Sequence, residues 1–85
     1  MKGASANMAS FHAQPEARVL WSLRRRRSDV RCVMYPGTVP VEVRVMQDRD
    51  VVLTELFQEE QTAEKWASVY AARLKEQGWF ESPDG

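Results

Sequence analysis

The sequence has few of the residues on which catalytic and metal sites usually depend. Its 85 residues include one histidine, His12, and one cysteine, Cys32. The four glycines are scattered, so no glycine-rich phosphate-binding loop is present. No group of His, Cys, Asp and Glu has the spacing of a metal site. We therefore predict a protein without a metal or other cofactor, and no residue pattern predicts a small-molecule substrate.

Disulfides and long apolar segments are also missing. A single cysteine excludes an intramolecular disulfide and is typical of a reducing compartment. No apolar run approaches the roughly 20 residues of a membrane span. Residues 1–16 lack the continuous apolar stretch of a secretory signal. We predict a cytoplasmic protein that does not associate with membranes.

Neither His12 nor Cys32 supports a catalytic role. His12 lies in residues 1–16, a segment rich in Ala and Ser that we predict to be a mobile arm, where a general base would not be held in place. Cys32 alternates with Val30 and Met34, a pattern that indicates a small buried side chain. We predict that the protein is not an enzyme and has no catalytic residues.

The rest of the chain has a composition typical of a globular domain, with 44% hydrophobic and 28% charged residues. One segment has a clear helical period, since its apolar residues recur on a single stripe. These residues are Ala63, Trp66, Ala67, Tyr70, Ala71 and Leu74. We predict a helix that begins near Glu59 and is closed by Gly78, with Trp79 contacting Leu74 in a Schellman motif.

Four preceding segments alternate between apolar and polar residues, which predicts strands over residues 18–23, 30–35, 41–46 and 51–57. Polar residues 24–29, the Pro36-Gly37 dipeptide and residues 47–50 predict the turns between them. The predicted fold is α+β, a two-layer ββββα domain with a four-stranded antiparallel meander and one C-terminal helix on one face. We place the domain at residues 17–80 and a frayed tail at residues 81–85.

A single helix covers only one face of such a sheet, so the other face should carry the surface that meets a partner. We predict that this partner face contains Leu20, Val33, Tyr35 and Met46. The leading hypothesis is therefore a small non-catalytic interaction module that forms a homodimer, or docks on a larger protein, through its helix-free face.

The alternative hypothesis is a domain that binds single-stranded nucleic acid. Residues 1–49 carry nine Lys/Arg against four Asp/Glu, whereas residues 50–85 carry three against eight. Guanidinium groups suit phosphates, and an exposed aromatic ring can stack on an unpaired base. The candidate contacts are Arg24, Arg25, Arg26, Arg27, Arg31, Arg44 and Tyr35, joined by Arg18. The simpler interpretation of the run Arg24–Arg27 is a solvated turn.

Overall fold

The strands and the helix follow the order expected from the sequence. The computed structural model describes residues 16–37 and 39–82, so the predicted arm lies almost wholly outside the described residues. The strands are β1 (Arg18–Arg25), β2 (Ser28–Tyr35), β3 (Val41–Gln47), β4 (Asp50–Phe57) and β5 (Phe80–Glu81), and the helix is α1 (Glu60–Glu76). The strands form one sheet in the order β4-β3-β2-β1-β5, and all neighbours are antiparallel. The predicted α+β fold, a meander followed by a C-terminal helix, is confirmed.

The hairpin turns are tighter than predicted. The loop between β1 and β2 consists of Arg26 and Arg27 alone, because Arg24 and Asp29 already face each other in the ladder. Arg26 has a φ of 57°, and Asp48 in the loop between β3 and β4 has the same value. This left-handed conformation is unfavourable for residues that carry a Cβ atom. Both hairpins therefore hold a strained residue at the first position of a two-residue loop.

The helix ends where Gly78 predicts. Gly78 has a φ of 99°, and its N–H donates to the carbonyl of Lys75 at 3.1 Å. The N–H of Trp79 donates to the carbonyl of Leu74, also at 3.1 Å. These two bonds define a Schellman motif. At the other end Glu59 occupies the N-cap position without a side-chain cap.

The core lies between α1 and the sheet, but it is centred on small helix residues. Ala63, Ala67 and Ala71 are the buried residues of α1, whereas Trp66 and Tyr70 are only half-buried. The indole Nε1 of Trp21 donates to the carbonyl of Ala67 at 2.8 Å. Alanine leaves room for the helix backbone to approach the sheet closely. The aromatic residues flank this contact, in a row made by Phe57, Trp66, Tyr70 and Trp21.

A β-bulge in β1 changes the facing of its first residues. Val19 pairs with Val33 and Trp21 pairs with Cys32, so Leu20 is the extra residue. Leu20 packs against the core on the helix side. The prediction that it belongs to the partner face is therefore wrong, and Val19 occupies that face because it lies opposite Val33. The bulge also places Arg18 on the helix side, where it forms an ion pair with Glu64.

A second bulge resolves the facing of β4, which alternation alone leaves ambiguous. Val45 pairs with Leu53 and Met46 pairs with Val51, so Val52 is the extra residue. Leu53 and Phe57 pack against the core. Leu56 pairs with Glu42, so it lies on the other face of the sheet, where it is 59% exposed.

The sheet gains a short strand that the sequence did not predict. Glu81 pairs with Leu23, and the N–H of Ser82 donates to the carbonyl of Ser22 at 3.0 Å. The prediction of a frayed tail from residue 81 is therefore wrong for these two residues. The chain crosses the sheet along α1, from β4 at one edge to β5 at the other. Within the described residues, no helix is long and apolar enough to span a membrane.

Candidate interaction surface

The candidate site is the face of the sheet opposite α1, which we call the helix-free face. Its centre is Val33, which lies outside the core cluster yet is only 7% exposed. In the ladder Val33 stands between Val19 of β1 and Arg44 of β3. No strand or helix among the described residues covers Val33, so its neighbours in the sheet shield it from water. Val33 therefore lies on the predicted partner face, but it exposes little surface of its own to a partner.

Beside Val33, the side chain of Arg44 lies across the ring of Tyr35. The Cζ atom of Arg44 is 4.6 Å from the ring centroid, a cation–π contact. The Nε of Arg44 donates to the carboxylate of Glu42, two residues away on the same strand and face. The hydrogen bond with Glu42 raises the pKa of Arg44. The guanidinium therefore lies over the ring of Tyr35, which the sequence suggested as a stacking platform for a base.

Exposed apolar side chains surround this centre on both sides. Val19 is 51% exposed at the β1 side, and Leu56 is exposed at the β4 side. Phe80 of β5 pairs with Arg24 and is 70% exposed. Val51 lies opposite the half-buried Met46. With Val33 and Tyr35, these residues give every strand at least one apolar side chain on this face, and exposed apolar side chains that cluster on one face mark interaction sites.

A cross-strand ion pair adds charges of both signs. Arg24 donates to both carboxylate oxygens of Asp29, from Nε at 2.9 Å and from a terminal nitrogen at 3.2 Å. The hydrogen bond with Arg24 lowers the pKa of Asp29, and the positive charge of Arg31 on the same strand contributes further. The helix-free face therefore presents paired charges rather than a field of one sign.

The predicted arginine cluster is divided between the two faces of the sheet. Arg24, Arg31 and Arg44 lie on the helix-free face by strand alternation. Arg25 lies on the opposite face, with its Nε close to Gly78. Arg26 and Arg27 form the loop. Because Arg18 also lies on the helix side, the structure does not bring the predicted arginines together as one patch.

Three residues predicted for the partner face, Val33, Tyr35 and Met46, do lie there. The sequence interpretation missed Val19, because the bulge exchanges its facing with that of Leu20. It also missed Phe80, since a two-residue strand has no detectable period. The apolar residues of β4 are evident in the sequence, but their facing is not. Only the register of β4 with β3 shows that Leu56 lies on the helix-free face.

Cys32 belongs to the core rather than to the candidate site. Its side chain is fully buried, and burial raises the pKa of its thiol to about 11. The thiol is therefore protonated at neutral pH, which is unfavourable for a nucleophile. His12 lies outside the described residues.

Comparison of the chain with protein-family models, with curated proteins and with solved structures gave no match. The function is therefore inferred from the geometry of the helix-free face.

Proposed function

We propose that the protein is a non-catalytic interaction module that forms a homodimer by packing its helix-free face against the same face of a second copy. The observation that carries the proposal is that all five strands place apolar side chains on this face, several of them exposed, and that no described element covers the face. Monomeric proteins seldom leave a broad apolar surface in water. A second copy removes the surface of both chains from solvent at once.

The charges on this face are compatible with self-association. Arg24, Arg31 and Arg44 are balanced in part by Asp29 and Glu42 on the same face. A two-fold interface brings each patch against its own copy, so a face with both signs can place a base opposite an acid. The full chain has a net charge of zero, so two copies do not repel each other over long distances.

The edges of the sheet are less suitable for association than its face. Both β1, which forms one edge upstream of Ser22, and β4, which forms the other, contain a bulge. Bulges at edge strands interrupt the ladder and hinder pairing between sheets. Face-to-face packing, the arrangement found in β-sandwiches, does not need a regular edge.

The size of the face sets the expected affinity. Four long strands about 4.8 Å apart, each of about seven residues at ~3.3 Å, make a face of roughly 20 by 23 Å. Its flat area of roughly 460 Å² is well below the about 800 Å² that each partner of a standard interface buries, as in weak or transient complexes. We therefore expect a dissociation constant in the micromolar range, on the order of 1 to 100 µM.

The proposal is tested by sedimentation velocity over a protein concentration range of about 1 µM to 1 mM. The wild type should shift from monomer to dimer within this range. Val19→Lys should remain monomeric, because it places a charge beside Val33 among the apolar side chains of the interface. Val69→Lys is the matched control, since Val69 is 55% exposed on the outer side of α1, and this variant should dimerise like the wild type. A wild type that stays monomeric at the highest concentration would refute the proposal.

Binding of single-stranded nucleic acid is the alternative use of the same face. It is supported by the placement of Arg24, Arg31 and Arg44 on one face with Tyr35. It is less favoured than the dimer because carboxylates already hold Arg24 and Arg44, and Arg44 covers the Tyr35 ring. Fluorescence anisotropy with a labelled oligonucleotide tests it, because binding by these residues should weaken steeply as salt is added.

A further inference from the structure

A second candidate site lies at the edge of the sheet, away from the helix-free face. A groove of about 460 Å³ runs between the first half of β1 and the side of α1. Its floor and wall are made mainly by small or apolar side chains, Leu20, Trp21, Ala67, Ser68, Ala71 and Ala72. A groove of this volume is within the range of ligand sites.

The edge of β1 beside this groove has no strand partner among the described residues. β5 pairs only with Leu23 and Arg24, and one further bond joins Ser82 to Ser22. Upstream of Ser22, residues 18–21 pair with β2 on one side alone. Backbone N–H and C=O groups on such an edge are available to an added strand.

We propose that this groove binds an extended peptide segment of a partner protein, which adds to the edge of β1 as an antiparallel strand. The pairing of β5 with β1 shows that the edge of β1 accepts an antiparallel strand. Alternate side chains of a strand point to opposite faces. Those that point towards the helix meet Ala67, Ser68 and Ala71, whose short uncharged side chains leave room for uncharged side chains of the peptide.

The charges around the groove are paired with each other, which favours recognition of the peptide through its main chain. Arg18 forms an ion pair with Glu64 at one end, and Lys75 forms one with Glu81 at the other, at 2.6 Å. Each pair is neutral overall, so neither end presents an unbalanced charge to a ligand. The backbone of β1 and the apolar floor therefore provide the main interactions with the peptide.

The bulge at Leu20 limits what can bind here. It interrupts the ladder in the middle of the free edge, and the edge also lies beside α1. Both features hinder the approach of a whole sheet. A single short strand needs to pair with only three or four residues, so the groove accepts a peptide while it resists open-ended sheet growth.

The test uses backbone hydrogen exchange of the full chain with the acetylated and amidated pentapeptide Val-Ser-Val-Ala-Val. The peptide should slow the exchange of edge amides within Arg18–Trp21 at least tenfold at saturation. The control peptide has the same sequence with N-methyl groups at alternate residues on its pairing side, and it should have no effect. Slow exchange of these amides without peptide would show that another part of the chain covers the edge, and it would overturn the proposal.

A substitution on the wall of the groove separates this site from the dimer interface. Ala72→Trp fills the groove from an exposed position of α1, and it should weaken peptide binding at least tenfold without changing the oligomeric state. Val69→Trp, on the outer side of the same helix, should bind like the wild type. Equal binding by Ala72→Trp, or equal binding of the N-methylated peptide, would overturn the proposal.

Discussion

Replacement of Ala67 by Leu tests whether the close approach of α1 to the sheet stabilises the fold. Ala67 is almost completely buried, and its carbonyl accepts the hydrogen bond from the indole of Trp21 at 2.8 Å. The side chain is also flanked by the buried Ala63 and Ala71, one turn away on either side. A leucine at this position has no space unless the helix moves away from the sheet.

Two costs add up when the helix moves. Extra methylene groups in a packed core cost about 1 to 3 kcal/mol. Loss of the Trp21 hydrogen bond costs about 0.5 to 1.5 kcal/mol. We therefore expect Ala67→Leu to lower the free energy of unfolding by roughly 1.5 to 4.5 kcal/mol, a large share of the ~5 to 15 kcal/mol of a typical domain.

The measurement is urea unfolding followed by tryptophan fluorescence, with the protein concentration held constant because dimerisation also shifts the midpoint. Ser68→Leu is the matched control, since Ser68 is the exposed neighbour of Ala67 on the same helix. It should change the free energy by less than about 0.5 kcal/mol. A loss for Ala67→Leu that is no larger than the loss for Ser68→Leu would refute the packing described for α1.

Arg26→Gly should raise the free energy of unfolding by about 0.5 to 1 kcal/mol. The gain arises because glycine adopts the left-handed φ of 57° without strain, and this relief exceeds the entropic cost of glycine in the unfolded chain. A urea midpoint lower than that of the wild type would contradict the prediction. The free energy of unfolding should fall in alkali, because the pKa of the Cys32 thiol is raised from 9.0 to about 11 in the folded protein. The contribution of the thiol to stability is complete below pH 9 and is lost as the pH rises towards 11. Cys32→Ala should therefore reduce the slope of the free energy of unfolding against pH over this interval, and an unchanged slope would contradict the prediction.

The elements with a regular period were predictable from the sequence. Alternation located the four long strands to within two residues at each end, and the helical stripe with Gly78 located the end of α1. These patterns work because the side-chain directions of a strand or helix repeat at a fixed interval. The strand β5 has only two residues, which is too short for an interval to show.

The centre of the core was less predictable than the elements around it. The helical stripe contains alanines and large residues together, and hydrophobicity alone favours Trp66 as the main contact. The structure instead buries Ala67 and leaves Trp66 at the side of the helix, in contact with Phe57. The distance between helix and sheet decides this arrangement, and it depends on residues that are remote in the sequence.

The composition of the helix-free face depends on two extra residues, Leu20 and Val52, that leave no mark in the local sequence. A strand with a bulge still alternates on either side of it, but the two halves are out of phase. In β1 this phase change exchanges Leu20 for Val19 on the helix-free face and moves Arg18 to the helix. The same bulge interrupts the free edge of β1 beside the groove. One inserted residue therefore shapes both proposed binding surfaces, because it sets which side chains face a second copy and how long a strand the edge can accept.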